Sequence, residues 1–589
     1  MVCLKCGAEN ADDSKVCRKC GLPVEAPAVT ASEDAVPSFS ATPTSPDTAE
    51  AAAPARRKIR RRILLITGIA AILVVLGVAA FAVIRNFLTS DSNDGFAYTK
   101  SPLIIIGEDE TQIYNGHSEP VTIDGSAEAP QYSMDGQKAA MLVDRNDERV
   151  GTLYYYDGTE AKELTDDVYY FRISADGNTI AYITDYDPEE YTGTLQIYDI
   201  SQMKSREVAD EVTPVGLALS PDGKSYAYVS DLESDDVPNY NIVKNYTSYI
   251  SVNGKEAEPL DSDRMVIGIS NSATYIYYMR IEWTAAMDAV GRLYVRHGKE
   301  ESKIGRIDAT GTSFFNRDFS EILYSDDGST YLSKAAGDPV KIGDYYSCDL
   351  LFPDDQQSTA NCGYNAIMYN VESLTGQFYV FCGNRGGIYG LSLGYLDGKG
   401  TLSEIDSIKD SESSYRTRAS SDGIHVYYMD DSDKTLYYWD ASDPDTKPVI
   451  IHGSEGVLYF KVSSDAIYFI DDDSTLWVKR GNDDPVSVAD DVMLSSLTLS
   501  SDGRGVYYIS DCPTHGNVNS LTLCYLSDAK NAEPLRIADK VSSVEVSDFG
   551  VVYYVFEKRG SDDDVKIGEA FYSKDGKNFI SVMDDAYFY

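Results

Sequence analysis

The chain reads as an all-β repeat domain of propeller type, set behind one membrane-spanning α-helix and a short N-terminal metal-binding segment. Three observations predict this. From residue 96 onward a pattern of short strands around a Ser-x-Asp-Gly turn recurs roughly every 45 residues. Residues 63–84 form an apolar run without a single charge. Cys3, Cys6, Cys17 and Cys20 stand as two C-x2-C pairs inside the first 24 residues.

Composition sets the bounds. The chain has 589 residues, 43% hydrophobic and 25% charged, which is globular and long enough for several domains. Its net charge is −43, unevenly placed. Residues 1–90 hold 11 basic and 8 acidic side chains, and residues 91–589 hold 40 and 86. A surface so acidic repels phosphate backbones, so nucleic acid is excluded as a partner.

The first 24 residues come first in order. Each C-x2-C pair wraps two thiolates around one side of an ion, and Gly7 and Gly21 follow the pairs, where a tight turn needs positive φ. Four soft sulfurs in a tetrahedron suit one structural Zn2+ per chain. So short a segment has no core, so metal binding supplies most of its folding energy. Two disulfides or a redox pair are the alternative, and a reducing cytoplasm opposes disulfides. With Cys3, Cys6, Cys17 and Cys20 at the ligand positions, the segment resembles the short zinc ribbons at the N-termini of many bacterial membrane proteins. The resemblance implies a structural zinc and a protein contact, without catalysis.

Residues 25–62 follow as a tether. Ala, Pro, Ser and Thr dominate through residue 55, which gives no core to bury. Arg56, Arg57, Lys58, Arg60, Arg61 and Arg62 then form a basic cluster. The run 63–84 behind it spans roughly 33 Å as a helix, enough for a hydrocarbon core of about 30 Å. Basic flanks stay cytoplasmic. The N-terminus is therefore expected inside, residues 85–95 form a linker, and residues 96–589 lie outside.

The repeat fills the remainder. Its clearest copies are FRISADGNTIAYITD at 171–185, LALSPDGKSYAYVSD at 217–231, RASSDGIHVYYMDD at 418–431 and LTLSSDGRGVYYISD at 497–511. A short strand ends at Ser-x-Asp-Gly, where Asp accepts from local N–H groups and Gly supplies positive φ. A strand alternating aliphatic and Tyr follows, then a third such as TLYYYDG at 152–158 and a weaker fourth. Four antiparallel strands per repeat make one propeller blade. About eleven repeats are counted, which exceeds the four to eight blades of an ordinary ring, so one large ring or two packed rings are expected. Residues 102–125 read as a second, third and fourth strand, and AYFY at 586–589 as a first strand that could complete them. Residues 334–375 are the least regular and a candidate junction. On the turns at Ser174–Gly177, Ser220–Gly223 and Ser500–Gly503, residues 96–589 resemble the TolB-like and WD-like propellers. That implies a fold; such folds host both binding and catalysis.

Outside the zinc segment, candidate chemistry is sparse. Cys348, Cys362, Cys382, Cys512 and Cys524 leave their pairing open, with Cys512 and Cys524 the best-spaced pair. His117, His297, His425, His452 and His515 form no local ligand pair. Asp471–Asp473, Asp562–Asp564, Asp430 with Asp431 and Asp433, and Asp185 with Asp187, Glu189 and Glu190 are acidic loops, solvated by default, with weak calcium binding the alternative. The 45 tyrosines read as blade packing rather than a sugar platform. No G-x-S-x-G elbow is present. The expectation is a membrane-anchored extracellular binding or sensor protein and not an enzyme, with the lipid bilayer, an extracellular protein or glycan, and a cytoplasmic protein as partners. A carbohydrate-active enzyme using carboxylates and a structural envelope scaffold are the alternatives.

Overall fold

A computed structural model describes residues 101–588, less short segments of which 352–358, 409–416, 511–520 and 560–565 are the longest. The cysteine pairs, the tether and the apolar run lie outside the described residues. Among the described residues no helix is long and apolar enough to cross a membrane.

What is described is almost entirely antiparallel strand, in nine sheets that follow one another along the chain. Six are four-stranded, from Met265–Ile269 onward to the last, which ends in Ile580–Phe588. The ten-stranded sheet hides three further repeats. Its strands Ala161–Ile173 and Lys204–Leu219 are long because each serves twice. The first half of Lys204–Leu219 pairs with Thr192–Asp199 as an outer strand, and Thr213–Leu219 pairs with Tyr226–Val237 as the inner strand of the next repeat. Counted this way the described residues hold eleven repeats, numbered 1–11 below.

Repeat 1 has only three strands, Leu103–Ile106, Glu110–Tyr114 and Val121–Asp124, as the sequence predicts. The chain's last residues do not form a separate inner strand for it. They end Ile580–Phe588, which pairs along its length with Lys566–Ser573 and meets repeat 1 through one bridge, Gly107 to Ala586. The irregular stretch 334–375 also has a cause. A hairpin, Thr359–Gly363 and Ala366–Tyr369, is inserted between the first and second strands of repeat 7. It pairs in parallel with Ser313–Phe315 and widens the sheet of repeat 6 to six strands. A purely antiparallel reading has no place for it.

The core lies between sheets rather than within them. Alternating strands put one apolar face on each neighbour. Ile113 and Ile123 of repeat 1 pack with Met141 and Tyr156 of repeat 2. The pattern passes along the chain to Tyr507 and Leu523 of repeat 10 against Val551 and Tyr553 of repeat 11. Val552 and Phe588 of repeat 11 then pack on Leu103 and Tyr114 of repeat 1. Tyrosines supply much of this surface, as expected; Tyr277, Tyr324, Tyr379, Tyr428, Tyr508 and Tyr554 are fully buried. A buried phenol needs a partner. Tyr277 Oη donates to Phe319 O at 2.9 Å, and Tyr155 Oη to Gly177 O at 3.0 Å, each reaching the next repeat.

Candidate functional site: a cleft lined by repeat turns

The Ser-x-Asp-Gly turns have the predicted chemistry. Ser133, Ser174, Ser220 and Ser500 donate Oγ–H to the Asp two residues on at 2.6–2.7 Å. Those aspartates accept the N–H of Gln137, Asn178, Lys224 and Arg504 at 3.0–3.2 Å. The turn glycines 136, 177, 223 and 503 have φ between 64° and 72°.

These turns also touch one another. Met134 N–H donates to Ala175 O at 2.7 Å, Asp176 N–H to Pro221 O at 3.0 Å, and Asp222 N–H to Asn271 Oδ1 at 3.0 Å. Repeats 2–5 thus present a continuous row of turns. Beside it, with the turn of repeat 6 and Met368 of the inserted hairpin, opens a cavity of about 580 Å3. Ala175, Pro221 and the two methionines, Met134 and Met368, give it apolar walls. Its charged groups are Asp176, Asp222, Arg317 and Asp318, with Ser270, Asn271 and Thr274 the neutral polar ones. Tyr275 completes the lining, its ring stacked on His297 at 4.6 Å between centroids. Arg317 Nη2 lies 3.5 Å from Glu372. Burial raises the Asp318 carboxyl, but bonds from Ser320 Oγ at 2.6 Å and Ser320 N at 2.9 Å outweigh it. The net shift is downward, so Asp318 is anionic at neutral pH. An apolar pocket with a few fixed charges is suited to recognition of a specific side chain or chain segment.

The other candidate residues are placed as follows. Cys3, Cys6, Cys17 and Cys20 lie outside the described residues, and so do Cys512, His515 and Asp562–Asp564. Burial pushes the Cys348 thiol well up, so it is unreactive; neither Cys348 nor Cys382 is in a disulfide. His425 Nδ1 meets Tyr438 Oη at 2.8 Å, and His452 packs on Phe469. Asp471 is a buried strut, accepting from Trp477 Nε1 at 2.7 Å and Thr475 N at 2.8 Å. Asp187 closes its own loop by accepting from Glu189 N at 2.8 Å. Among the described residues no cluster of metal-ligating side chains is found. Sequence reading misses Tyr275, Arg317 and Met368. The first two follow degenerate first strands, and the third arrives on the insertion.

Comparison with known proteins gives three findings. The zinc-ribbon domain family matches residues 2–24, which contain all four predicted ligands, and a zinc ribbon implies zinc binding. The donor set, four thiolates in two C-x2-C pairs, fits that metal. No curated protein matches the chain. Solved structures similar to it include the β-propeller domain of the Trilobed protease from Pyrococcus furiosus, at 11% identity over 61% of this chain and 96% of that one, TM-score 0.27. TolB from Acinetobacter baumannii is 13% identical over 43% and 65%, TM-score 0.24. Dipeptidyl peptidase 4 from Porphyromonas gingivalis is 12% identical over 65% and 65%, TM-score 0.35. Acylaminoacyl peptidases and prolyl endopeptidases are also among them. The expectation that the chain is not an enzyme is corrected by these neighbours. Several are peptidases, so the fold gives no ground for excluding catalysis, and that exclusion is withdrawn.

Proposed function

We propose that the chain is a zinc-ribbon, propeller-like binding protein that recognises a segment of another protein in the cleft beside the turns of repeats 2–6. In this reading residues 63–84 anchor it in a membrane, the zinc ribbon stays on the cytoplasmic side, and the repeat domain faces outward. The observation that carries the reading is the cleft itself, about 580 Å3 with two methionines, Tyr275 and three aspartates converging from successive repeats. Methionine walls accept varied apolar side chains. Aspartates at the rim, on a domain of strongly negative charge, favour a neighbouring Lys or Arg in the partner.

The test is a peptide-array and thermal-shift screen of the purified full-length chain, repeated with Tyr275→Ala and with Asp318→Asn. Peptides pairing an apolar residue with a basic one should bind, weaken about tenfold or more in either variant, and weaken with salt. Ligands that bind all three proteins equally would move recognition away from this cleft.

A further inference from the structure

A second cavity, of about 430 Å3, opens between repeats 3 and 4 and has the opposite electrostatic character. Its floor is buried and mostly apolar, made by Thr179, Ile197 and Tyr226. Lys204, Arg206 and Lys224 stand at its rim, against a single carboxylate, Asp199. Three cations around one concavity are unexpected in a domain where acidic residues outnumber basic ones by 86 to 40.

The strand register shows how this cleft differs from its counterpart between repeats 9 and 10. In repeat 9 Arg480 pairs with Ala466, the first residue of its second strand. Its guanidinium crosses to repeat 10 and donates to Asp528 O at 2.7 Å and Ser527 O at 3.1 Å, so at the corresponding cavity, of about 310 Å3, this cation is committed to the chain itself. In repeat 3 the same register position, opposite Thr179, is Asp199. Asp199 turns back on its own hairpin, accepting from Ser201 Oγ at 2.6 Å, Gln202 N at 3.1 Å and Gln202 Nε2 at 2.7 Å. The carboxylate is therefore already engaged within its own hairpin and does not neutralise the cations around the cavity.

The cations are set to face it. Lys204 and Arg206 are two apart on one strand and share a side. Arg206 Nη2 donates to Tyr226 Oη at 2.8 Å, which fixes its guanidinium over the floor and leaves other N–H groups for a ligand. Among the described residues neither Lys204 nor Arg206 forms an ion pair, although Lys204 stands opposite Asp199 in register. Lys224 Nζ lies 3.8 Å from Asp222, a loose contact that a closer anion can replace. The global negative charge does not cancel this arrangement. At physiological ionic strength charges beyond about 8 Å are largely screened, so local cations dominate at the rim.

We infer that this cavity binds an anionic group, a carboxylate or a phosphate, carried on a body of sugar size. The guanidinium and ammonium groups hold the anion, and the buried floor takes the ring of the body. The site shares no lining residue with the turn-lined cleft and meets it at the Lys224–Asp222 contact.

The experiment is calorimetric titration of the full-length chain with glucuronate and with glucose 1-phosphate, beside glucose as the neutral control. At least one anionic sugar should bind, glucose should not, and the two arms distinguish carboxylate from phosphate. Lys204→Ala and Arg206→Ala should each weaken binding at least about tenfold. Lys204 is exposed and makes no ion pair among the described residues, so its variant should melt like the parent and separate binding loss from unfolding. Tyr275→Ala should leave this binding unchanged. Equal binding of glucose, no binding of either anionic sugar, or full affinity in Lys204→Ala would overturn the inference.

Discussion

Gly223 carries two constraints at once. Its φ of +64° closes the Ser-x-Asp-Gly turn, and a methyl added there would collide with Thr179 of the preceding repeat. The turn residue is thus also a packing residue between repeats. Gly223→Ala should cost about 2 kcal/mol or more, read as a lowered denaturant midpoint at unchanged m. Asp222→Ala loses turn hydrogen bonds and a loose, exposed contact with Lys224 and should cost about 1 kcal/mol. Glu321 is a second test. It is buried and holds the chain's return from the inserted hairpin, accepting Lys334 Nζ at 2.9 Å, Ser373 Oγ at 2.9 Å and Leu374 N at 2.6 Å. Glu321→Ala strands the buried Leu374 N–H, while Lys334 keeps Thr375 and solvent, so about 2 kcal/mol should be lost. A loss below about 1 kcal/mol would mean that this return does not depend on the carboxylate.

At the scale of elements, the last strand bears more weight than its single bridge to repeat 1 suggests. Phe588 is 1% exposed, stacks on Tyr554 with centroids 4.9 Å apart, and lies in the same cluster as Leu103 and Ile105. The contact between repeats 11 and 1 is therefore apolar burial rather than a hydrogen-bonded ladder. Phe588→Ala should cost about 3 kcal/mol or more and speed hydrogen exchange in 103–114 as well as in 580–588. Exchange confined to repeat 11 would show that the two repeats are energetically separate. This division also marks what was legible in the sequence. The period-two strands and the Asp-Gly turns are local, and eleven repeats follow from them. The double service of Lys204–Leu219 and the parallel seat of Ala366–Tyr369 depend on partners far along the chain. Tyr275, Arg317 and Met368 meet only through those partners, so no local pattern marks the cleft. Asp199 and Arg480 hold the same register position beside their cavities with opposite charge, which means little before the register is known.

For the whole molecule, the tyrosine core sets the alkaline limit. Burial pushes the Tyr427 phenol up to about 12 and those of Tyr277, Tyr379 and Tyr554 higher. An unfolded phenol titrates near about 10. The folded state then holds its protons more tightly than the unfolded one. The resulting stability is complete below about pH 10 and falls as pH rises through 12. Absorbance at 295 nm should show an exposed fraction titrating reversibly near 10 and the remainder appearing only with loss of β-sheet circular dichroism. The N-terminal part answers to different physics. Arg56–Arg62 stand directly before an apolar run of 22 residues, and the chain beyond residue 90 carries 86 acidic side chains. Moving the basic cluster across a bilayer is disfavoured, whereas a large acidic domain is exported largely without regard to its charge. Intact wall-stripped cells expressing the full chain should therefore lose the repeat domain to added protease while an N-terminal tag survives on a fragment of roughly 90 residues. That fragment should retain one zinc, and Cys17→Ser should abolish it, because three thiolates leave the tetrahedron incomplete. Survival of the repeat domain with digestion of the tag would reverse the orientation. Digestion of both would place the chain outside any membrane. A protected fragment without zinc would leave the topology standing and remove the metal.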